Sequence, residues 1–532
     1  MNTGNLKKLV LLATAASGLS VIAAPARAQS SGEADPQPEA AAASDDTIVV
    51  TGSRIDRAGF DAPTPTTVLS GDALLQGNRP SIAQVLNDLP QFRASTTPVT
   101  NFSGTASGSS PADLRGLGST RTLTLLNGRR FTGSGDLNTV PQGLISRVEV
   151  VTGGASAAWG SGAVGGVVNI LLDESLTGLT VGAQSGISSR ADLFRYGVDA
   201  TFGTRFADGA GHFMIGAQYF NDEGVLDRDS RPNLGSTTLY TNPTGSAHAF
   251  VIARDVNYSN ASIGGLITTG VLAGQTFERN GTLRPFVYGS PRGSAVMVGG
   301  EGTSLRDETA LSAPYERVNA YARASFELGD AKLWVDGSYS RMWAEYPFYA
   351  ESNRDNITVS RDNPYLPQAV RDRLIAAGQT SFRLGRVFED YGYRTFSYVR
   401  ETIDAAIGID GAFGDGKWRY SAYYGHGQLS DDRGYLNQKV TTNFNRAIDV
   451  VAGPGGVPIC RIALTDPTTA CRPLNIFGEG NADPAAVAYA FSSAAHVRNT
   501  TKLDTAAVSL RGDPFSLWAG PVSIAVGAEA RW

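Results

Sequence analysis

Apolar and polar residues alternate along most of the chain after about Thr177. In the run from Phe194 to Phe202 every second residue is apolar or aromatic, whereas the residues between them include Arg195 and Asp199. Further clear runs lie at 213–219, 318–326, 333–339, 403–413, 418–424 and 522–530. Because the side chains of a β-strand point alternately to its two faces, each run predicts a strand with one apolar and one polar face.

About nine to eleven such strands can be counted between residues 177 and 532. Their length of about ten residues, with aromatic residues near the ends, is typical of an antiparallel transmembrane β-barrel whose apolar face meets lipid and whose polar face meets a wet lumen. Short turns such as Asp415-Gly416 alternate with the stretches 221–314 and 429–499, which we interpret as long, irregular extracellular loops. A soluble β-sandwich is the alternative, but the aromatic outward faces favour the barrel.

The segment 60–172 has a different pattern and predicts a small α+β domain. Ser70 is placed to cap a short helix through Gln76, and Ser81 to cap a second helix that ends at Pro90. Asn127-Gly128 is a two-residue turn signal, so 121–126 and 129–131 are predicted to pair as a hairpin. A strand is predicted at 145–151, and the stretch 96–110, rich in Ser, Gly and Thr, is predicted to be a mobile loop.

Between Val148 and Leu172 a predicted strand is followed by a bend rich in Gly and Ala and then by a second strand. Gly160 to Gly165 matches G-x-G-x-x-G. A dinucleotide site requires this motif directly between a strand and a long helix, whereas here about eight residues separate it from the first strand and the residues after it are β-prone. We therefore interpret the glycines as positions where the backbone turns and packs closely.

The N-terminus has the form of a signal peptide, residues 1–28, for Sec-type export. Lys7 and Lys8 precede an apolar run that is short for a membrane anchor and ends at Ala26-Arg27-Ala28. Residues 29–59 are predicted to be a flexible linker, because they begin with Ala, Pro, Ser and acidic residues without periodicity. Within the linker, 46–52 is a short β-prone run. It is suited either to pairing with a partner's sheet edge or to being the first strand of the next domain.

Composition narrows the function further. The chain has 532 residues, 62 Gly, 18% charged residues and a net charge of −5, which gives no basic surface for a nucleic acid. Its four His are scattered, and no nucleophile elbow, H-E-x-x-H or paired-carboxylate motif is present, so we predict no catalytic residue, no metal site and no cofactor. Cys460 and Cys471 are close together in an exported chain, which favours a disulfide over a zinc site lacking further ligands.

Several motifs, in order along the chain, resemble those of TonB-dependent outer-membrane receptors. Residues 46–52 look like a TonB box, residues 113–118 and 121–130 look like the central motif of the plug domain, and residues 148–170 look like the end of the plug. Residues 460–478 resemble an outer loop of one branch of these receptors. The matching residues are Asp46, Thr47, Ile48, Val49, Val50 and Thr51 in the box, and Arg115, Gly116, Asn127, Gly128, Arg129, Arg130, Glu149, Gly153, Gly154, Gly160, Gly165, Gly166 and Asn169 in the plug.

The resemblance implies a non-enzymatic receptor in the outer membrane of a Gram-negative bacterium, which takes up a scarce solute (a siderophore, a glycan or another small molecule) with energy from the inner membrane. The implied partners are the TonB protein, outer-membrane lipid and an unidentified small-molecule ligand. It also implies a plug at 60–172 inside a barrel of about 22 strands. We therefore expect 177–532 to be a partial barrel and the chain to be a fragment or truncated product. The alternative is a passive porin-like or adhesin barrel without energy coupling.

Overall fold

The structure is a computed structural model that describes residues 65–75, 81–93, 109–153, 156–227, 230–231, 238–241, 249–293, 295–304, 310–518 and 520–532. The predicted signal peptide, the linker with its TonB-box-like run, and most of the predicted loop at 96–110 lie outside these residues.

The N-terminal domain, residues 65–172, is a four-stranded sheet with short helices. Its elements are β1 (Thr66–Ser70), α1 (Gly71–Leu75), α2 (Ile82–Leu86), β2 (Thr122–Leu126), β3 (Ile145–Val151), α3 (Ser156–Trp159) and β4 (Gly166–Leu172). The strand order is β1-β3-β4-β2, in which β2 and β4 are parallel and the other pairs are antiparallel. Leu74, Ile82 and Leu86 from the helices pack with Val148 and Val150 of β3 in one buried core. Each such side chain contributes about 1.5–3 kcal/mol on burial.

Two local predictions in this domain were wrong. The two-residue turn expected at Asn127-Gly128 forms and is closed by an antiparallel bridge between Leu126 and Arg129, but 129–131 is not a second strand. Instead β2 pairs in parallel with β4, with Leu125 opposite Asn169. The helix predicted up to Pro90 ends at Leu86, and the Ser81 side chain makes no capping hydrogen bond. At the first helix, by contrast, Ser70 Oγ accepts a hydrogen bond from the Ala73 amide at 3.3 Å.

The rest of the chain contains twenty further strands and three further α-helices in the described residues. The strands before residue 300 are β5 (Gly178–Gly186), β6 (Arg195–Phe206), β7 (Gly211–Asp222), β8 (Thr238–Thr241), β9 (Phe250–Ala253), β10 (Val256–Tyr258), β11 (Leu266–Ile267), β12 (Gln275–Phe277), β13 (Leu283–Pro285) and β14 (Val296–Val298). Those that follow are β15 (Tyr315–Leu328), β16 (Ala331–Ala350), β17 (Ser352–Ser360), β18 (Ser381–Val387), β19 (Tyr393–Phe413), β20 (Trp418–Gln438), β21 (Val450–Ala452), β22 (Pro458–Cys460), β23 (Ser493–Leu517) and β24 (Gly520–Arg531). The helices are α4 (Gln368–Ala376), α5 (Thr441–Ile448) and α6 (Pro484–Ala490). Short 3₁₀ turns occur at Ser119–Arg121, Thr132–Gly135, Gln142–Leu144, Ala207–Gly209, Glu389–Tyr391, Pro454–Gly456 and Arg461–Leu464.

Nine of these strands form one large antiparallel sheet, in the order β24-β23-β20-β19-β16-β15-β7-β6-β5. At one end of the strands, consecutive strands are joined by turns of a few residues, as at 207–210, 329–330 and 414–417. At the other end, long connections join β7 to β15, β16 to β19 and β20 to β23. The predicted fold class, a mainly β chain with a small α+β domain followed by an antiparallel sheet, is confirmed.

The sheet has an apolar outer face and a polar inner face. On β6, Val198 and Phe202 are exposed, whereas Thr201 between them is buried. On β15, Asn319 and Arg323 are buried on the inner face. The inner face is covered by the N-terminal domain, so its polar residues are buried while the apolar ones face outward. This arrangement is the reverse of a soluble sheet, in which the apolar face is the covered one.

No helix among the described residues is long and apolar enough to cross a membrane.

The stretches 221–314 and 429–499 were predicted to be irregular, and this was wrong for parts of both. Parts of 260–286, 351–391 and 439–491 fold together into a second body, which we call the outer lobe. It contains a five-stranded sheet, β13-β12-β11-β18-β17, helices α4 to α6, and a hydrophobic core of its own that includes Phe388, Phe444 and Phe477. Because its core residues come from three distant segments, no local periodicity in the sequence could indicate it.

Candidate functional site

The central motif of the N-terminal domain builds a tight turn that points at the large sheet. Asn127 and Gly128 have φ of 48° and 73°, and the Leu126 and Arg129 backbones bond each other in both directions at 2.9 Å. The amide of Gly128 donates to Asn169 Oδ1, and the amide of Leu172 donates to Asn127 Oδ1, both at 2.9 Å. These bonds fix the turn on β4, so the following arginines have a defined direction.

Arg129 reaches across to the inner face of the large sheet. Its guanidinium lies 2.5 Å from the Asp336 carboxylate on β16. The same carboxylate accepts a hydrogen bond from Arg323 on β15 at 2.9 Å. Both guanidinium carbons also lie over the Trp334 ring, at 4.7 Å for Arg129 and 4.6 Å for Arg323. Stacking and ion pairing of this kind suit arginine better than lysine.

Glu174 extends this network on the connection between β4 and β5. Its carboxylate lies 3.1 Å from Arg323 and 2.9 Å from Lys332 Nζ. Burial acts to raise the pKa of the Glu174 carboxyl, but Arg323 and Lys332 outweigh it and hold the pKa below its usual range. We call Arg129, Glu174, Arg323, Lys332, Trp334 and Asp336 the interface network. It joins the N-terminal domain, the connection after it and two strands of the sheet.

Other contacts seat the N-terminal domain on the same sheet face. The Thr132 amide donates to Asp404 Oδ1 at 2.7 Å, and Asn319 Nδ2 donates to the Asn138 carbonyl at 2.6 Å. Leu144 packs against Gly216 so closely that a Cβ there would lie 2.7 Å from Leu144 Cγ. The two faces are therefore matched in both polarity and shape.

Arg130 reaches the other end of the same interface, at β24 of the large sheet. Its Nε lies 3.3 Å from Glu529 on β24, and its Nη2 donates to the carbonyls of Trp159 and Ser161. An open cavity of about 850 Å³ lies between the domain and strands β15 to β24. Its lining includes Arg129, Trp159, Glu174, Arg323 and Trp334. The interface thus encloses an open cavity lined by several charged residues.

In the glycine-rich bend between β3 and β4 the backbone turns and packs closely, as predicted. Gly153, Gly160 and Gly166 have φ of 87°, 71° and 140°. A Cβ on Gly166 would lie 2.3 Å from the Val151 carbonyl oxygen, and one on Gly165 would lie 3.2 Å from the Arg121 carbonyl oxygen. Side chains are thus excluded where β4 begins. Gly154 lies outside the described residues.

The remaining residues of the plug-like motifs stabilise the domain itself. Arg115 and Gly116 both have positive φ, of 58° and 67°, in a turn next to Arg93. Glu149 is fully buried and accepts a hydrogen bond from Arg147 Nε at 2.9 Å. The partners Asp336, Arg323 and Asp404 were missed by sequence reasoning. The available signal was charge on the inward positions of alternating strands, but alternation does not say which charge meets which arginine.

The outer lobe is stabilised by a buried arginine and a disulfide. Arg386 on β18 is fully buried and donates to the Ile476 and Gly478 carbonyls at 2.7 and 3.0 Å and to Asp390 at 2.6 Å. Cys460 and Cys471 are joined by a disulfide with Cα atoms 6.3 Å apart. Within the described ranges, no group of three or more His, Cys, Asp or Glu residues is placed to hold a metal ion.

Comparison with known families identifies the N-terminal domain. Residues 59–167 match the family model described as TonB-dependent Receptor Plug Domain. The chain carries a TonB-dependent receptor plug domain. The interface network is therefore a contact between the plug and the large sheet, and the Asn127-Gly128 turn belongs to the plug. The resemblance noted from the motifs is confirmed for this part of the chain.

The solved structures that the chain matches include three receptors. The ferric enterobactin receptor PfeA in complex with BCV-L6 has 13% identity and a TM-score of 0.47, over 88% of this chain and 49% of that one. The siderophore receptor PirA from Acinetobacter baumannii has 14% identity and a TM-score of 0.45, over 88% and 47%. The siderophore receptor PiuA from the same organism has 12% identity and a TM-score of 0.37, over 88% and 61%. The chain spans about half the length of the first two of these structures.

Proposed function

We propose that this chain acts in the energised uptake of a scarce small molecule across the outer membrane of a Gram-negative bacterium, as a TonB-dependent receptor. The observation that carries the proposal is the plug domain seated on the polar inner face of a sheet whose outer face is apolar. A passive pore has no need of such a domain. The solute belongs to the kinds that the resemblance implies: a siderophore, a glycan or another small molecule.

The coupling step follows from the position of the TonB-box-like run, Asp46 to Thr51. The outer membrane has no ATP, so work must come from a partner anchored in the inner membrane. An extended run offers backbone donors and acceptors to the edge of the partner's sheet. A pull on this run reaches the plug first at β1, because β1 is the first described strand and an edge strand of the plug sheet.

The force would then act on a small set of hydrogen bonds. The Thr152 amide donates to the Pro65 carbonyl at 3.1 Å. The five residues of β1 pair with β3, from Thr66 opposite Val151 to Ser70 opposite Arg147. Among the described strands, β1 has a neighbour on one side only, β3. We infer that β1 is the element that yields first, while the interface network holds the rest of the plug to the sheet.

Binding of TonB tests the proposal. The purified chain is titrated with the periplasmic domain of TonB, and the Kd is measured for the natural sequence, for Val49→Pro and for Ala41→Pro. Proline at 49 removes a backbone donor and disfavours pairing, so binding is lost. Ala41 lies in the linker before the box, so Ala41→Pro binds like the natural chain. Equal affinity of all three proteins would refute the assignment of residues 46–51.

A further inference from the structure

Charged residues on the outward face of the large sheet begin at a sharp boundary. Five neighbouring strands show it. We count the outward Asp, Glu, His, Lys and Arg residues from the end of each strand with the short turns, and on β23 from Gly512, after its register shift. The first such residue is Glu316 on β15, Arg341 on β16, Glu401 on β19, His426 on β20 and Asp504 on β23. Between these positions, which we call the charged boundary, and the short turns, the outward residues are uncharged and mostly apolar. We call this part of the face the uncharged band; it includes the exposed residues Val335, Ile407 and Val508.

Tyrosines mark the same boundary by bonding to its carboxylates. Tyr219 Oη donates to Glu316 at 3.1 Å and Tyr339 Oη donates to Glu401 at 3.1 Å. Tyr424 Oη donates to Asp504 at 2.6 Å. The three pairs recur on alternate strand pairs, β7/β15, β16/β19 and β20/β23. Each tyrosine has its ring on the uncharged side and its hydroxyl on the charged side, as an aromatic residue does at a membrane–water interface.

The line through these pairs is oblique to the hydrogen-bonding rows of the sheet. Tyr219 lies opposite Val318, which lies opposite Arg341, so Tyr339 is two residues nearer the short turns. Tyr339 lies opposite Ile403, which lies opposite Gln428, so Tyr424 is four residues nearer again. From Tyr219 on β7 to Tyr424 on β20, the tyrosines shift by six residues, about 20 Å along the strands, while the four strand spacings between them amount to about 19 Å. The line through the pairs therefore makes an angle of about 45° with the hydrogen-bonding rows. A line at this angle is level in a membrane when the strands tilt by about 45° in the matching direction, and strands of membrane barrels tilt by about 35–45°.

The height of the uncharged band also fits a bilayer. On β15 it runs from Val318 to Leu328, since Glu316 is the next outward residue. The ten steps from Val318 to Leu328 span about 34 Å along the strand, or about 24 Å along the membrane normal at a tilt of about 45°. The outward apolar band of such barrels is about 25 Å tall.

We propose that the line of tyrosine–carboxylate pairs is the contact of this sheet with the headgroup layer of the lipid leaflet on the side of the long connections. The part of the outward face between this line and the short turns then contacts the hydrocarbon of the lipid. The part beyond the line contacts lipid headgroups and water. The inference rests on the proposed placement in the outer membrane. It goes further, because it names the residues that set the depth and the tilt.

Two positions on one hydrogen-bonding row separate this inference from its alternatives. Ala320 on β15 and Gln428 on β20 share a row through Tyr339 and Ile403. The oblique line places Ala320 inside the hydrocarbon and Gln428 among the headgroups, a depth difference of about 10 Å. A boundary parallel to the rows would give both positions the same depth.

The experiment uses the full chain with one introduced cysteine, labelled with bimane, in vesicles of phosphatidylethanolamine and phosphatidylglycerol. Since Cys460 and Cys471 are disulfide-bonded, the introduced thiol is the one that reacts. The variants are Ala320→Cys, Gln428→Cys and the mid-band control Ile407→Cys, and the quenchers are lipids brominated in the acyl chain and aqueous iodide. We expect brominated lipid to quench the labels at 320 and 407, and iodide to quench the label at 428.

The other outcomes are distinct. Two results would overturn the proposed boundary but leave the membrane placement intact. One is equal depths of the labels at 320 and 428. The other is quenching of the label at 320 by iodide while brominated lipid quenches the label at 407. Quenching by iodide at all three positions would refute the membrane placement itself.

Discussion

At the scale of the residue, the contact between plug and sheet depends on a single carboxylate shared by two arginines. Asp336 binds both Arg129 and Arg323 in a buried position. Sequence alternation indicated that Asp336 and Arg323 face inward, and the motifs marked Arg129. The pairing itself could not be predicted, because it joins residues 207 positions apart in the chain.

Asp336→Asn should strongly destabilise the plug interface. The substitution keeps the shape of the side chain but leaves two buried guanidinium groups without their shared counter-charge, which costs about 3–5 kcal/mol. The measurement is urea unfolding in detergent, followed by tryptophan fluorescence, since Trp334 lies under both arginines.

The matched control is Asp362→Asn. Asp362 is 78% exposed and lies 3.7 Å from Arg361, so its loss should change the free energy of unfolding by at most about 0.5 kcal/mol. Identical unfolding of the two variants would show that the shared carboxylate contributes nothing.

Glu174 should make the interface sensitive to acid. Because its pKa is lower in the folded chain than in the unfolded chain, it contributes stability above the unfolded value of about 4.3 and loses this contribution as the pH falls through the folded value. We expect Glu174→Gln to be less stable than the natural chain at pH 7 and to depend less on pH below about pH 5. Parallel curves of unfolding free energy against pH for the two proteins would contradict this.

At the scale of the element, regular alternation allowed the strands to be predicted, but their ends and the lobe could not be. β20 continues to Gln438 and β23 begins at Ser493, well inside the stretch read as an irregular loop. Beyond the charged boundary the outward face is polar, as at Asp432 and Arg498, so the apolar–polar contrast that reveals a strand disappears. The helix Ile82–Leu86 is shorter than the apolar run up to Pro90 had predicted.

The outer lobe should depend on Arg386. Arg386→Ala removes the donor to the Ile476 and Gly478 carbonyls in a buried site. It also removes the counter-charge of the Asp390 carboxylate, which then keeps the hydrogen bond from the Gly480 amide. We expect a cost of about 3–5 kcal/mol. Hydrogen exchange measured by mass spectrometry should become faster across 439–491 and stay unchanged across the plug strands. Arg383→Ala is the control on the same strand, because Arg383 is half exposed and its ion pair with Asp355 is long, at 3.6 Å. Equal exchange in both variants would rule out this role.

At the scale of the whole molecule, membrane insertion places the outward face of the large sheet in lipid. Ile407→Arg, in the middle of the uncharged band, should weaken folding into lipid vesicles by about 2–4 kcal/mol. Thr500→Arg, beyond the charged boundary on the same face, should cost about 0–1 kcal/mol. The free energy of folding from urea into vesicles measures both. Similar small effects at the two positions would mean that the face is not in hydrocarbon.

Photo-crosslinking in living cells tests whether a TonB partner acts on this chain through the run before the plug. A benzophenone amino acid is placed at Ile48 in one variant and at Ala41 in another, and the yield of the adduct with TonB is measured. We predict an adduct from position 48 that disappears when Val49→Pro is added, and little adduct from position 41. Equal yields from 48 and 41, or an adduct from 48 that persists with Val49→Pro, would contradict the account.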